Sequence, residues 1–373
     1  MFIVMLTACS RHNDEFCAAT DEPGEPSVLR IYVYQPDRPI VTRAGEGEVN
    51  PINNTLDEST INNIHIWVFN TNDKALIAYH SSEGAASDLS IVNDDGVVYQ
   101  LAVSPAFEAA AVKPNVDVYV LANDTRFDGS TTAAQLEAAM IEGSNYGPAT
   151  LTTQVPAGGL PMSGVMRNMS VTGTAPVYSL PTIRLLREMS KIRFIFCREE
   201  GQTAVKINSI LLKENMIPTE EYVFLGNDAL PYHISETFVD TQTEFVSSTD
   251  PVKTDICQNG NPLNYTYADG TDPQAYEDKL NDALSATTPK LSQVGPFYLR
   301  ESNKQLSGTI TYQAGDNPAK TIAFSMSATS TYGFSRNHTW TVYAYYGGSS
   351  LELITVFVKN WVDTNYNHEV YNW

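Results

Sequence analysis

The feature that most constrains this fold is a strand-like segment near the start of the chain. Across residues 28–35, VLRIYVYQ, aliphatic residues alternate with polar and aromatic ones at a period of about two. Such a pattern, rich in β-branched and aromatic residues, is typical of a half-buried β-strand. Leu29, Ile31 and Val33 fall on one face of the segment. We expect these three side chains to be buried and to attach the strand to the body of the protein.

The stretch after this strand contains one arginine that is open to proteolysis. Two prolines follow the strand, and they interrupt regular structure because proline lacks a backbone donor and fixes φ. Arg30 lies inside the strand and Arg38 precedes a proline, whereas Arg43 is followed by Ala44 and a glycine. Exposed loops are preferred sites of proteolytic cleavage. We predict that the strand is provisional and that the chain is cut between Arg43 and Ala44; an ordinary first strand and loop is the alternative.

The first residues indicate export as a lipoprotein. The apolar run at residues 2–5 precedes Leu6-Thr7-Ala8-Cys9, which matches a bacterial lipobox whose cysteine becomes lipidated. The segment departs from a full signal peptide because it is short and lacks a basic beginning. We predict lipidation at Cys9, with a chance match as the alternative. Apart from this segment, the sequence has no apolar run of the roughly 20 residues that a membrane-spanning helix needs.

The last residues form a second alternating pattern. Residues 362–373 are predicted to be extended, with polar residues on one face. The other face carries the residues predicted to form a donor strand, together with His368: Val362, Thr364, Tyr366 and Val370. The alternative is a last strand that pairs within its own domain.

Composition favours an extracellular β-protein. The 20 tyrosines suit strands, and the abundant glycine and asparagine suit turns. The formal net charge of −20 argues against nucleic acid as a partner, because no basic stripe is available to neutralise phosphates. Such a charge is also compatible with a soluble surface polymer, whose subunits resist non-specific association through self-repulsion, but it says little about any specific partner.

Many short strand-like segments and few helical ones predict an all-β fold with minor helices. Helical patterns occur only at residues 131–141 and 274–286. The strands indicate two tandem β-sandwich-like domains rather than βαβ units. We predict the following division: a signal peptide at 1–9, a propeptide with the provisional strand at 10–43, and sandwich domains at 44–183 and 184–373.

No motif predicts catalysis, a cofactor or a metal. The six histidines are scattered without HExxH spacing, and His65 lies on the strand face opposite Ile64 and Ile66, which indicates a structural role. The nucleotide-binding and hydrolase motifs are absent. Carboxylates are numerous, so a glycosidase pair is not excluded by counting. Whether Cys197 and Cys257 form a disulfide stays open.

Several motifs, taken in order, resemble those of the fimbrillins, the type V pilins that form the major fimbrial subunits of Bacteroidales-type bacteria. The resemblance extends over essentially the whole chain. Its motifs are Cys9, Ile40-Val41-Thr42-Arg43-Ala44, Ile64-His65-Ile66-Trp67-Val68-Phe69-Asn70, Leu160-Pro161-Met162-Ser163-Gly164, Leu185-Leu186-Arg187 with Lys191-Ile192, Arg336-Asn337-His338-Thr339-Trp340, Val356-Phe357-Val358-Lys359-Asn360-Trp361 and the tail that ends in Trp373.

The resemblance implies a structural pilin subunit of a cell-surface fimbria that contributes to adhesion. It implies two β-sandwich-like domains of the fimbrillin type and a precursor anchored to the outer membrane by a lipid. An Arg-specific extracellular protease then removes the first segment, and the subunit polymerises with its own copies and related pilins by strand exchange. A tip adhesin that binds a glycan or a host protein is the alternative, and a carbohydrate-active enzyme is a further one.

Overall fold

The computed structural model describes residues 27–34, 58, 61–83, 90–93, 96–142, 155, 158–226, 234–249, 251, 255–268, 271–326 and 334–360. Within these residues, strands dominate and the three α-helices are short. The predicted all-β class with minor helices is therefore confirmed.

The first sandwich consists of two sheets. Sheet A contains β1 (Val28–Tyr34), β4 (Ser90–Asn93), β5 (Gly96–Ala102), β9 (Thr172–Thr174), β10 (Val177–Ser179) and β11 (Ile183–Arg184). Its strand order is β4-β5-β1-β10-β9, and β11 also pairs with β1. Sheet B contains β2 (Asn63–Asn70), β3 (Leu76–Glu83), β6 (Val116–Ala122), β8 (Met162–Met169) and β12 (Leu186–Arg187). Its order is β12-β8-β6-β2-β3.

The core of the first sandwich lies between these sheets. The alternation within each strand places one set of side chains inward, and these sets meet in a single apolar cluster. Sheet A contributes Leu29, Ile31, Val33, Tyr99, Leu101, Tyr178 and Ile183, and sheet B contributes Ile64, Ile66, Val68, Ile77, Val116, Val118, Val120 and Met162. The predicted burial of Leu29, Ile31 and Val33 is confirmed, and it is in the first sandwich.

The second sandwich also has two sheets. Sheet C contains β13 (Ser190–Glu199), β17 (Gln258–Asn259), β18 (Ser292–Leu299), β21 (His338–Tyr346) and β22 (Leu351–Asn360). β13 pairs with β17, β18 and β21, and β22 pairs with β21. Sheet D contains β14 (Val205–Leu212), β16 (Thr243–Val246), β19 (Ser307–Ala314) and β20 (Lys320–Ser325), in the order β16-β14-β19-β20.

Sheet C is covered on both of its faces. Ile192, Phe194 and Phe196 of β13 face sheet D within a large apolar cluster. On the opposite face, Ile195 and Cys197 pack against helix α3 (Pro273–Ser285). Asp272 caps this helix by accepting a hydrogen bond from the amide of Ala275, and a proline follows at its first position. The helix predicted at residues 274–286 is confirmed.

The helix predicted at residues 131–141 is wrong in its length. Helix α2 (Ala133–Glu137) begins after a capping box between Thr132 and Gln135 and lasts five residues. The chain then forms β7 (Met140–Glu142), which pairs with β15 (Glu220–Tyr222). Tertiary pairing of β7 thus overrides the helical pattern of alanine, leucine and methionine.

The outer face of sheet B meets the second sandwich, and we call this region the joint. Trp67, Phe69, Tyr119 and Leu121 project from sheet B into an apolar cluster that includes Met189, Val223, Phe224 and Tyr298. The segment at 183–187 pairs with β1 and β8, and β13 begins at Ser190. The division predicted at residues 183 and 184 stays a prediction.

Candidate functional site

Strand β1 occupies an interior position in sheet A, and the groove that holds it is the candidate site. All seven of its residues pair antiparallel with β5, from Val28 opposite Ala102 to Tyr34 opposite Gly96. On its other side, Val28–Arg30 pair parallel with β10, and Val33 and Tyr34 pair parallel with β11. β1 is therefore bounded by strands that all lie later in the chain.

The two faces of β1 differ sharply. Leu29, Ile31 and Val33 are each 0% exposed and fill the core of the first sandwich. On the outer face, Arg30 is exposed and Val28 and Tyr32 are half-buried. β1 is thus an amphipathic strand whose contacts come from one apolar face and from backbone pairing. Its predicted role as a provisional strand stays a prediction.

The beginning of β1 is held by contacts that the sequence did not predict. The buried Ser27 hydroxyl donates a hydrogen bond of 2.6 Å to Oε1 of Glu108, and the Ser27 carbonyl accepts one of 3.3 Å from the amide of Val103. Glu108 belongs to helix α1 (Pro105–Ala109), which Ser104 caps. Ser27 and Glu108 are separated by 81 residues, so no local pattern could have indicated their contact.

Helix α1 is fixed over this end of β1 by aromatic packing. Phe107 is buried and meets Tyr178 of β10 edge to face, with ring centroids 5.3 Å apart. The ammonium of Lys113 lies 5.1 Å from the centre of the Phe107 ring and 5.2 Å from that of Tyr178. Lys113 also donates hydrogen bonds to three carbonyls at the end of the helix. Glu108, the contact partner of Ser27, therefore belongs to a helix that is packed against β10.

A cluster of ionisable side chains lies at the joint. Nη2 of Arg336 lies 2.8 Å from Oε1 of Glu301 and 2.8 Å from Oε1 of Glu221. Burial raises the pKa of Glu188 to about 8, with Arg336 opposing this effect and Asp124 adding to it. Burial also raises the pKa of Glu221. Carboxyls of raised pKa are frequent in active sites. Glu188 and Glu221 are 0% exposed, however, so we interpret the cluster as structural.

The two cysteines of the second sandwich are free thiols in the structure. Sγ of Cys197 lies 3.0 Å from the hydroxyl of Tyr343, and burial raises the pKa of this thiol to about 11. Sγ of Cys257 accepts a hydrogen bond of 3.2 Å from Ser292. Cys197 is not set up as a nucleophile, because burial raises its pKa and a reactive cysteine needs a lowered one.

His65 is held by its neighbours on sheet B. Its Nδ1 lies 2.9 Å from the hydroxyl of Tyr79, and its ring stacks on that of Trp67 with centroids 5.5 Å apart. Among the described residues, no group of three or more histidine, cysteine, aspartate or glutamate side chains could hold a metal ion.

The remaining predicted site residues lie outside the described residues. These are the lipidation site Cys9, the cleavage site Arg43 and Ala44, and the donor-strand residues Val362, Thr364, Tyr366 and Val370. In the part of the chain that the structure covers, no helix is long and apolar enough to cross a membrane.

Comparison with known proteins finds a similarity to one family over part of the chain. Residues 41–208 match the family described as major fimbrial subunit protein (FimA). Over these residues, which are slightly less than half of its length, the chain is similar to the FimA family of fimbrillins. β1 lies before the matched part of the chain. No curated protein matches the chain.

Solved structures of fimbrial proteins are similar to this chain over most of its length. The fimbrilin FimA of Porphyromonas gingivalis W83 is 12% identical, with 91% of this chain and 99% of that chain covered and a TM-score of 0.48. The tip fimbrial protein Mfa3 of Porphyromonas gingivalis, with a C-terminal truncation, is 12% identical, with 90% and 99% covered and a TM-score of 0.49. A fimbrial assembly protein of Parabacteroides distasonis is 14% identical, with 90% and 99% covered and a TM-score of 0.45.

Proposed function

We propose that this chain is a fimbrillin, the precursor of a structural pilin that polymerises by exchanging β1 for a strand of another subunit. It is exported as a lipoprotein through Cys9 and anchored in the outer membrane. An Arg-specific extracellular protease cuts it between Arg43 and Ala44. The matured subunit then joins other copies of itself and related pilins in a fimbria at the cell surface, where it contributes to adhesion.

The interior position of β1 is the observation that carries this proposal. A cut after Arg43 breaks the backbone connection between β1 and the other strands of its sheet. Loss of β1 leaves the facing edges of β5, β10 and β11 without backbone partners and empties the pockets of three apolar side chains. A sheet edge with unpaired amides and carbonyls is a template for an added strand.

The similarity of residues 41–208 to a major fimbrial subunit family supports assembly with other subunits. In a tip or adhesin subunit we expect no donor strand at the end of the chain. Residues 362–370, in contrast, have the two-residue alternation that we expect of a donor strand. Each apolar side chain that refills a pocket contributes about 1.5–3 kcal/mol, and each backbone hydrogen bond a net ~0.5–1.5 kcal/mol. The refilled groove should therefore form a long-lived contact between subunits.

The test is to incubate the purified precursor with an Arg-specific protease and to follow it by gel and electron microscopy. We expect a cut between Arg43 and Ala44, followed by fibres. Arg43→Ala should give a folded monomer that stays uncut at this position. Deletion of residues 362–373 should give a subunit that is cut but forms no fibres. Fibres of normal length from the truncated chain would assign the donor strand to another segment.

A further inference from the structure

Both ends of the segment that carries Arg43 are fixed on the same short stretch of chain, residues 183–187. At one end, Tyr34 of β1 pairs with Arg184 of β11. At the other end, the backbone carbonyl of Glu58 accepts a hydrogen bond of 3.0 Å from Nε of Arg187. Residues 35–57 connect the two, so the predicted cut lies between two separate attachments.

The attachment at Glu58 is a small carboxylate-binding site at the joint. Lys191 of β13 stands opposite Tyr298 of β18 in the sheet register. This register lets the ammonium and the hydroxyl meet one carboxylate. Nζ of Lys191 lies 3.1 Å and 2.8 Å from the two oxygens of Glu58, and the Tyr298 hydroxyl donates a hydrogen bond of 2.6 Å to Oε1.

The site is sheltered, which strengthens its contacts. The side chain of Lys191 is 11% exposed and that of Glu58 is 17% exposed. Burial alone raises the pKa of Glu58, but the charges of Lys191 and Arg187 and the hydrogen bonds from Lys191 and Tyr298 lower it below its usual value. Glu58 is therefore ionised at neutral pH, and its contacts are charge-assisted hydrogen bonds.

None of these partners belongs to β1. Arg187 is in β12, Lys191 in β13 and Tyr298 in β18, and all three stay in the chain when residues 1–43 are removed. We propose that Glu58 anchors the first part of the mature chain to the joint, so that the cut after Arg43 releases β1 alone. This inference rests on the proposed function, because it assigns a role to Glu58 after maturation.

Lysine acetylation read by mass spectrometry tests the anchor directly, because Glu58 covers the ammonium of Lys191. In the wild-type chain we expect Lys191 to react at least tenfold more slowly than exposed Lys320, both before and after cleavage. Glu58→Gln should remove most of this protection. Tyr298→Phe keeps the ring, removes one hydrogen bond and should give an intermediate rate. Lys320 serves as the internal control and should react equally in every form.

Two results would overturn the anchor. Loss of Lys191 protection when the wild-type chain is cut would show that Glu58 detaches from Lys191 when β1 is released. Unchanged protection in Glu58→Gln and in Tyr298→Phe would show that another group covers Lys191. A precursor that resists cleavage at Arg43 contradicts the proposed function instead. In that case, a sequence-specific protease site placed at residues 41–44 of the full chain tests the anchor separately.

Discussion

Two interior strands, β1 of the first sandwich and β13 of the second, both fill a core but differ in how many of their faces are buried. Each places three apolar side chains into a core, Leu29, Ile31 and Val33 in one case and Ile192, Phe194 and Phe196 in the other. β13 is buried on both faces over residues 190–198, whereas β1 leaves Arg30 exposed. A strand that is covered on one face only can be withdrawn without dismantling a second layer.

Charge separates the two strands further. Lys191 and Arg193 of β13 are buried among partners, and Arg193 donates hydrogen bonds to Thr341 at 3.0 Å and to Asn281 at 2.9 Å. Removing one partner of a buried charged pair costs several kcal/mol, because the other charge is left uncompensated. β1 has no such charge on its inward face. β13 is therefore fixed in its sheet, while β1 is held by apolar burial, backbone pairing and the Ser27 contact.

The largest expected effect comes from placing a charge on the inward face of β1. Ile31→Asp puts an unpaired carboxylate into the core, which costs far more than the stability of an ordinary domain allows unless the group is neutralised. We expect low yield and rapid proteolysis of the precursor. The matched Arg30→Asp, on the exposed face, should fold normally. Equal protease resistance of the two variants would show that β1 is not docked in the core.

Truncation of core side chains in β1 and β13 should have different effects on stability before and after the cut. Phe194→Ala should lower the free energy of unfolding by about 3–5 kcal/mol in both forms, because β13 stays in place. Ile31→Ala should cost about 2–5 kcal/mol in the precursor and nothing in the cut subunit once β1 has left. Denaturant unfolding of each variant before and after cleavage measures this. A persistent cost of Ile31→Ala in the cut subunit contradicts release of the strand.

The joint should respond to pH through Glu188. Its pKa is raised to about 8 in the folded protein, so the folded state holds a proton that the unfolded state has lost between about pH 4.5 and pH 8. Stability should therefore fall as pH rises through this window, by on the order of a few kcal/mol. Glu188→Gln should weaken this loss, and exposed Glu199→Gln should leave it unchanged. Thermal unfolding between pH 5 and pH 8.5 measures the stability of the wild-type chain and of both variants. An equal dependence of stability on pH in the wild type and in Glu188→Gln would contradict the assignment to Glu188.

A smaller effect is expected at the beginning of β1. Ser27→Ala removes the hydroxyl that donates to Glu108, and a hydrogen bond to a charged group contributes about 1.5–3 kcal/mol. Hydrogen exchange of the β1 amides should accelerate in this variant, while exchange in β13 stays unchanged. Acceleration in both strands would mean that the variant weakens the whole fold rather than the hold on β1.

Local patterns in the sequence were sufficient to predict much of this architecture. The alternation at residues 28–35 predicted β1 and its buried face. The same patterns could not predict which sandwich holds β1, because its partners β5, β10 and β11 are distant in the chain. Glu58 and Lys191, separated by 133 residues, illustrate the same limit. At residues 131–141 a local pattern misled, because pairing with β15 shortens the helix.

Hydrogen exchange at β5 tests the central claim most directly, because β5 is the antiparallel partner of β1 along its whole length. The amides of β5 that face β1 should be protected in the precursor, exposed in the cut monomer and protected again in the fibre. Protection that survives removal of residues 1–43 in the monomer, or exposure that persists in the fibre, would contradict the exchange of β1 for a strand of another subunit.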